Sequence, residues 1–282
     1  MMGGPVARAL PIVGLCVALA TPPVFGQTDA VDLRLRLKMD DNLFYTIVES
    51  SLFRSTLYDV GGRVFTDLDR LDRTIQEEIG VVSVDDDGTL GLDITPRITK
   101  TSRVDAPHRL VQSIDVLVRP TGEVVPGVGH AGALESIYYP LGLPDHAVSP
   151  GESWTYNEKR VSWDIGKEDL SFLHSEVTFT LTLVGVDRVG GDRVARILIK
   201  GEGPFSMYSN ERIFAGAVRT AGSATAHVTG EARWSIDGGR LLRLRAETSF
   251  EIPLAVEIES RTFHGKTKFT LTEEWALLPG PH

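Results

Sequence analysis

The sequence predicts an all-β protein made of long antiparallel strands. The first observation behind this prediction is an alternation of apolar and polar residues with a period of two, as in Val177–Leu183, where threonines separate apolar side chains. The second is a series of glycine-containing turns between such segments. Clean alternation is typical of antiparallel sheets with one buried and one wetted face. We therefore expect curved sheets or an open barrel, in two loosely repeated halves.

The alternating segments and their turns follow one another along the chain. Val31–Met39 places an apolar residue at every second position, with charged residues between them. The pattern returns in Val177–Leu183, Leu242–Ile252 and Phe269–Trp275. The predicted hairpin turns contain the pairs Asp87-Gly88, Thr121-Gly122, Gly190-Gly191 and Gly238-Gly239. The acidic run Asp85–Asp87 lacks the spacing of a helix–loop–helix calcium site, so we interpret it as part of a tight turn.

Two segments raise the question of helix. Leu68, Leu71, Ile75 and Ile79 have helical spacing, but a period of two fits residues 71–81 as well. Because strands are predicted on both sides, we expect a strand there. A single short helix is predicted at 131–139, directly before Pro140.

The first 26 residues are predicted to be a signal peptide, with cleavage after Gly26. Arg8 precedes an apolar run, Ala9–Ala20, that is shorter than the roughly 20 residues needed to span a bilayer. The single cysteine, Cys16, lies in this segment, so the mature chain would have no thiol for catalysis or metal binding. We expect an exported, soluble protein of the periplasm or the extracellular space, without a transmembrane span in the mature chain.

The mature chain divides into an N-terminal β half, 27–140, a joint rich in proline and glycine, 141–150, and a C-terminal β half, 151–282. Each half begins with a polar turn and aromatic residues and continues through hairpins in a similar order. This weak repeat is compatible with two related β domains and with one continuous curved sheet.

The joint and the start of the second half resemble a known family. The stretch Leu143–Trp154 is similar to the Leu-Pro … Val-x-Pro-Gly-Asp-Ser-Trp motif of an exported bacterial family, the domain of unknown function 6263. The alternating segment Leu33–Lys38, Tyr45, the turn Asp85–Gly88 and the element Arg119–Val124 also match, although Asp40-Asp41-Asn42 replaces a Gly-Asp turn. The resemblance implies an exported β-rich protein and brings no catalytic residues with it.

Charge and motif content argue against several function classes. The chain has 38 acidic and 29 basic residues, a formal charge of −9, which disfavours nucleic acid as a partner. The seven histidines form no metal-binding motif, and Gly151–Thr155 has threonine where a nucleophile elbow needs its second glycine. Adjacent carboxylates, Glu77-Glu78 and Glu273-Glu274, would point to opposite faces of a strand, and we interpret them as solvated charges. We expect no enzyme, no metal and no cofactor.

Three hypotheses for function remain. The first is a non-catalytic protein of the cell envelope with a binding or structural role, whose partner is another envelope protein or a ligand on the concave side of the sheet. The second is a periplasmic carrier of lipid or another apolar small molecule, which requires a large apolar pocket. The third and weakest is a hydrolase. The candidate ligand or partner surface is Asp145, His146 and Trp154, although Trp154, Trp163, Trp234 and Trp275 are more simply explained as core residues.

Overall fold

The chain forms one antiparallel sheet. The structure is a computed structural model that describes residues 30–58, 61–102, 113–125, 141–165, 170–213, 216–258 and 261–279. The strands within these residues are β1 (Asn42–Tyr58), β2 (Val64–Val84), β3 (Leu90–Thr101), β4 (Ile114–Val118), β5 (Ser153–Ile165), β6 (Leu170–Val189), β7 (Asp192–Ile213), β8 (Gly216–Ser235), β9 (Arg240–Ile258) and β10 (Arg261–Leu277). The all-β prediction is confirmed.

The strand order is β4-β3-β2-β1-β10-β9-β8-β7-β6-β5. Neighbours in the sheet are neighbours in sequence everywhere except at β1 and β10, which pair from Tyr45↔Leu277 to Tyr58↔His264. Strands from both halves of the chain therefore share one continuous sheet. The predicted signal peptide, 1–26, and the predicted helix, 131–139, lie outside the described residues.

The predicted local structure agrees with the strands found. The ambiguous residues 71–81 lie inside β2, because every second side chain of this segment faces the core that β1 also covers. Gly88, Gly122, Gly190, Gly191 and Gly239 all have positive φ in the predicted turns, a conformation that glycine adopts without steric cost. The part of the chain that the structure describes contains no apolar helix of membrane-spanning length.

A large apolar cluster fills the inner face of the sheet at its core end, where β1 begins and β2 ends. Trp234 and Trp275 are among its largest fully buried side chains, and Trp154 is also buried, so the core interpretation is confirmed for these three tryptophans. The hydroxyl of Tyr45 on β1 donates a hydrogen bond of 2.9 Å to the carbonyl of Leu241 on β9. This bond reaches across β10, which requires the sheet to curve around its inner face.

A row of aromatic rings forms a second apolar cluster nearer the distal end, where β1 ends and β2 begins. Phe53, Phe269, Phe250 and Phe205 follow one another with centroid distances of 4.6, 4.7 and 4.0 Å. Phe250 and Phe205 stack although β8 lies between their strands, because β8 presents the small Ala226 on its inner face. The four rings therefore pack against one another and fill the concave face of the sheet in this region.

Close contact between strand backbones accompanies this curvature. At Gly203 on β7, an added Cβ would overlap the carbonyl oxygen of Glu176 on β6. At Gly265 on β10, it would overlap the carbonyl oxygen of Thr56 on β1. Glycine at these two positions lets neighbouring strands approach more closely than a side chain would allow.

The N-terminal segment, residues 31–38, differs in part from its prediction. Val31, Leu33, Leu35 and Leu37 are buried, as the alternation predicted, whereas Met39 at the end of the predicted segment is 52% exposed. The segment also does not join the sheet as a ladder strand. Instead it crosses the core end: Val31 bridges Val148, the Leu35 N–H donates to Pro120 and the Arg36 N–H donates to Gly239. A period of two predicts which side chains are buried, but it does not identify the backbone partner.

Candidate functional site

The joint lies across the core end of the sheet, between the turn after β4 and the start of β5. The Leu143 N–H donates a 2.7 Å hydrogen bond to the carbonyl of Thr121, and Val148 exchanges two backbone hydrogen bonds with Val31. Gly142 lies directly on the ring of Tyr156, where any side chain would overlap it. The joint is therefore held by backbone contacts on both sides.

A cleft of about 800 Å³ opens between these elements. The turn after β4 and the start of β5 form its two walls, and residues 142–145 of the joint line it between them. Its lining combines charged, amide and hydroxyl groups with two aromatic residues: Arg34, Asp87, Arg119, Glu123, Asp145, Thr121, Thr155, Asn157, Trp154 and Tyr156. Arg119 pairs with Glu123 at 2.9 Å, and Arg34 donates to the carbonyl of Asp145 at 3.2 Å. The cleft is polar and carries both signs of charge.

Two of the predicted residues, Asp145 and His146, belong to an exposed cluster of two carboxylates around one imidazole. His146 Nδ1 lies 2.8 Å from Asp145 Oδ1, and His146 Nε2 lies 3.3 Å from Glu152 Oε1. Glu152 is oriented by the Ser149 N–H, which donates to its other oxygen at 2.9 Å. Both ring nitrogens of His146 are therefore engaged by carboxylates.

The electrostatics of this cluster favour a charged imidazole. Hydrogen bonds to Asp145 and then to Glu152 raise the pKa of His146, while the hydrogen bond with His146 lowers the pKa of Asp145. The pKa of Glu152 is lowered mainly by the Ser149 N–H. A protonated imidazole held between two carboxylates is suited to fixing the joint, whereas a general base needs a free ring nitrogen.

Trp154, the third predicted residue, is a structural anchor. It is only 7% exposed, and its Nε1–H donates a 2.9 Å hydrogen bond to the carbonyl of Gly142. The structure therefore brings Asp145 and Trp154 to the lining of one cleft, of which His146 is not a lining residue. Trp154 holds the joint against β5 and leaves little ring surface for a ligand.

A second polar group, which the sequence interpretation missed, lies on the inner face between the two apolar clusters. Glu49 on β1 forms an ion pair with Arg73 on β2 and faces Glu273 on β10 across the strand register. Glu77, four residues from Arg73 along β2, is opposite Tyr45 within the large apolar cluster and is 1% exposed. Neither carboxyl oxygen of Glu77 has a hydrogen-bond partner among the described residues.

The environment of Glu77 corrects the expectation that it is solvated. Burial, followed by the negative charge of Glu49, raises the pKa of Glu77 to about 8, so the carboxyl is largely protonated at neutral pH. The predicted opposition of faces is confirmed, since Glu78 is exposed on the other side of β2. The sequence contained a signal for this burial. Glu77 is two residues from the buried Ile75 and Ile79 on β2, so it lies on the same face of the strand. Glu49 is related in the same way to the buried Tyr45 and Ile47 on β1.

The described residues include no group of three or more His, Cys, Asp or Glu side chains placed to hold a metal ion. Ser153, the serine of the motif nearest to a nucleophile elbow, exchanges its hydroxyl hydrogen bond with Thr182 at 2.8 Å. The arrangement at the joint can therefore bind through charge and hydrogen bonds, and it offers no nucleophile–base pair of the serine type.

Comparisons with known proteins add only coarse information. No protein-family model and no curated protein matches this sequence. Among solved structures, the chain is similar to Salmonella typhi OmpF in complex with daunomycin, with 9% identity, 86% of this chain and 99% of the other covered, and a TM-score of 0.29. It is also similar to the COG4313 outer membrane channel from Pseudomonas putida F1, with 9% identity, coverage of 89% and 98%, and a TM-score of 0.20. Similarity at this level carries no functional argument.

Proposed function

We propose that this is a non-catalytic, exported protein of the cell envelope that binds a polar ligand or a polar segment of a partner in the cleft at the joint. The observation that carries the proposal is the cleft itself, which has about 800 Å³ of space and a lining of opposite charges, an amide and hydroxyl groups. This volume lies in the range of known ligand clefts, in which convergent polar groups fix the orientation of the ligand. Export rests on the predicted signal peptide, 1–26, and on the resemblance to the domain of unknown function 6263.

The groups around the cleft support binding over hydrolysis. Both nitrogens of His146 are engaged by carboxylates, and the hydroxyl of Ser153 is engaged by Thr182. The charged residues of the cleft can satisfy a polar guest, because Arg34 and Arg119 donate while Asp87, Glu123 and Asp145 accept.

The carrier hypothesis has less support. An apolar ligand needs an apolar cavity, yet the cleft is lined by charges, and the aromatic row on the inner face is filled by its own rings. The charge pattern of the cleft therefore favours a polar ligand.

Native mass spectrometry of the mature chain, residues 27–282, tests the proposal. The protein is incubated with the polar and the lipid fractions of an envelope extract from its own organism, and bound mass is compared between the wild type and Arg34→Ala/Arg119→Ala. We expect an adduct from the polar fraction that the double variant loses. Arg233→Ala, an exposed change on the outer face of β8, is the matched control and should keep the adduct. No adduct from either fraction, or an adduct that survives in the double variant, would refute binding in this cleft.

A further inference from the structure

Exposed apolar side chains gather at the distal end of the β1–β2 hairpin. Val64 is 58% exposed, Leu68 57% and Tyr58 46%, and all three point to the outer face. Tyr58 and Val64 are directly opposite each other in the register. An exposed apolar group of this kind on the outer face, away from both apolar clusters, is a candidate interaction surface.

Cations lie beside these apolar residues on the same face. Arg54 on β1 is directly opposite Lys268 on β10 and directly opposite Leu68 on β2. Lys266 is two residues from Lys268 along β10 and pairs with Glu251 at 3.0 Å. No ion pair joins Arg54 or Lys268 to another described residue. We call Arg54, Tyr58, Val64, Leu68, Lys266 and Lys268 the distal patch.

Glu251 on β9 is directly opposite Lys268 and pairs with Lys266, so it offsets only part of the repulsion between Arg54 and Lys268 in the free protein. Like charges directly opposite each other on neighbouring strands destabilise a sheet. The chain as a whole carries a formal charge of −9, so this local excess of cations runs against its general balance. An anion over the patch would turn the repulsion into attraction, because both side chains could then pair with it.

We propose that the distal patch docks the protein onto the surface of an anionic lipid bilayer. A lipid surface offers anionic headgroups to Arg54, Lys266 and Lys268 and hydrocarbon to Val64 and Leu68. Tyrosine, with an apolar ring and a polar hydroxyl, is suited to the boundary between the two, where Tyr58 would lie. Nucleic acid offers the anions without the hydrocarbon, so the apolar residues favour lipid.

The overall charge would orient the docked protein. Because the remainder of the chain is acidic, a negatively charged surface repels it everywhere except at the patch. The β1–β2 hairpin would therefore face the bilayer. The 17 residues of β1 span roughly 50 Å, which would hold the core end and its cleft away from the membrane.

Vesicle co-sedimentation of residues 27–282 tests the proposal. The vesicles contain phosphatidylglycerol and phosphatidylcholine in equal parts, or phosphatidylcholine alone, and the vesicle-bound fraction gives a partition coefficient. We expect binding to the anionic vesicles only. Arg54→Gln/Lys268→Gln should lower the partition coefficient roughly 30-fold, since each cation at an anionic surface strengthens binding about fivefold. Val64→Ser/Leu68→Ser should also weaken it, without changing the net charge.

The matched control is Lys200→Gln/Arg233→Gln, which removes the same charge from exposed outer positions on β7 and β8. It should bind the anionic vesicles as well as the wild type does, and therefore roughly 30-fold better than the variant of the patch. All these side chains are exposed, so circular dichroism should show unchanged folding. Failure of the wild type to bind anionic vesicles, or equal loss in both double variants, would overturn the proposal. A dimer that requires Arg54 and Lys268 would instead assign the patch to contact between two copies.

Discussion

Replacing Glu77 with glutamine tests whether the inner face holds a protonated carboxyl. Glutamine has the same shape and no titratable group, so the variant removes the pH-dependent cost of burying the carboxylate. The Glu77 carboxyl has no hydrogen-bond partner among the described residues, and a glutamine amide of the same shape would have none either. The cost of burying the amide in place of the protonated carboxyl therefore adds a difference in stability that does not depend on pH. The test is therefore how the difference in free energy of unfolding between the wild type and Glu77→Gln changes with pH.

The size of the effect follows from the burial of Glu77. The carboxyl titrates near pH 4.5 in the unfolded chain, whereas burial and the charge of Glu49 raise its pKa to about 8 in the folded protein. Below pH 4.5 it is protonated in both states, and its contribution to stability is complete. Between these pH values only the folded protein keeps the proton, so the free energy of unfolding falls by about 1.4 kcal/mol per pH unit. Over this interval the loss reaches about 5 kcal/mol, and above pH 8 it stops.

Urea unfolding of the wild type and of Glu77→Gln, at pH values from 4.5 to above 8, measures this difference. The wild type should lose stability relative to the variant as the pH rises through this interval, and the other titrating groups cancel in the comparison. Glu78→Gln is the matched control, because Glu78 lies next to Glu77 on the exposed face of β2. A difference between the wild type and Glu77→Gln that stays constant with pH would refute the reasoning.

Three further predictions concern other parts of the structure. Arg73→Met should lower the free energy of unfolding in urea by about 3–5 kcal/mol, because it leaves the buried Glu49 without its ion pair. The double variant Glu49→Gln/Arg73→Met should recover most of this loss. A double variant as unstable as Arg73→Met would contradict the prediction. The His146 ring should titrate in NMR spectra with a raised pKa, above 6.5, and Asp145→Asn should lower it. The stability that the charged imidazole provides is present below pH 6.5 while Asp145 and Glu152, whose pKa values are lowered, stay ionised, and it is lost as the pH rises through the folded-state pKa of His146. A His146 pKa unmoved by Asp145→Asn would exclude the contact. Gly203→Ala should destabilise the protein by about 1–3 kcal/mol, because the new methyl group overlaps the Glu176 carbonyl oxygen. Gly185→Ala is the control and should be tolerated, because the nearest atom to an added Cβ there is 3.7 Å away. Equal effects of the two substitutions would argue against a close approach of the strands at Gly203.

The sequence could predict strands and turns because these depend on local patterns. The period of two in Val177–Leu183 and the glycines of the predicted turns were sufficient for β6 and for the hairpins. The pairing of β1 with β10 could not be predicted in this way, because alternation identifies which face of a strand is buried and not which strand lies beside it. For the same reason the burial of Leu33 and Leu35 was predicted while their position across the core end was not.

Prediction of the candidate site had a different limit. Asp145 and His146 were chosen because they lie in a loop, but their partner Glu152 is brought to them by a turn in which its N–H donates to the Ser149 carbonyl at 2.9 Å. Glu77 was interpreted as solvated together with Glu78, because adjacent strand residues point to opposite faces and cannot act as a catalytic pair. Its strand parity with Ile75 and Ile79 was the stronger signal, since it relates directly to the buried face.

The pairing of β1 with β10 has a consequence for chains that are not completed. Until Arg261–Leu277 has been synthesised, β1 can pair only with β2, and its other edge, Tyr45–Tyr58, remains open. An open edge of this length is a template for pairing with another molecule, and closure over so long a stretch of chain is slow. A product that lacks β10 would therefore expose an edge of β1 that is covered when β10 is present. Such products should aggregate and be cut by proteases more readily than chains that contain β10.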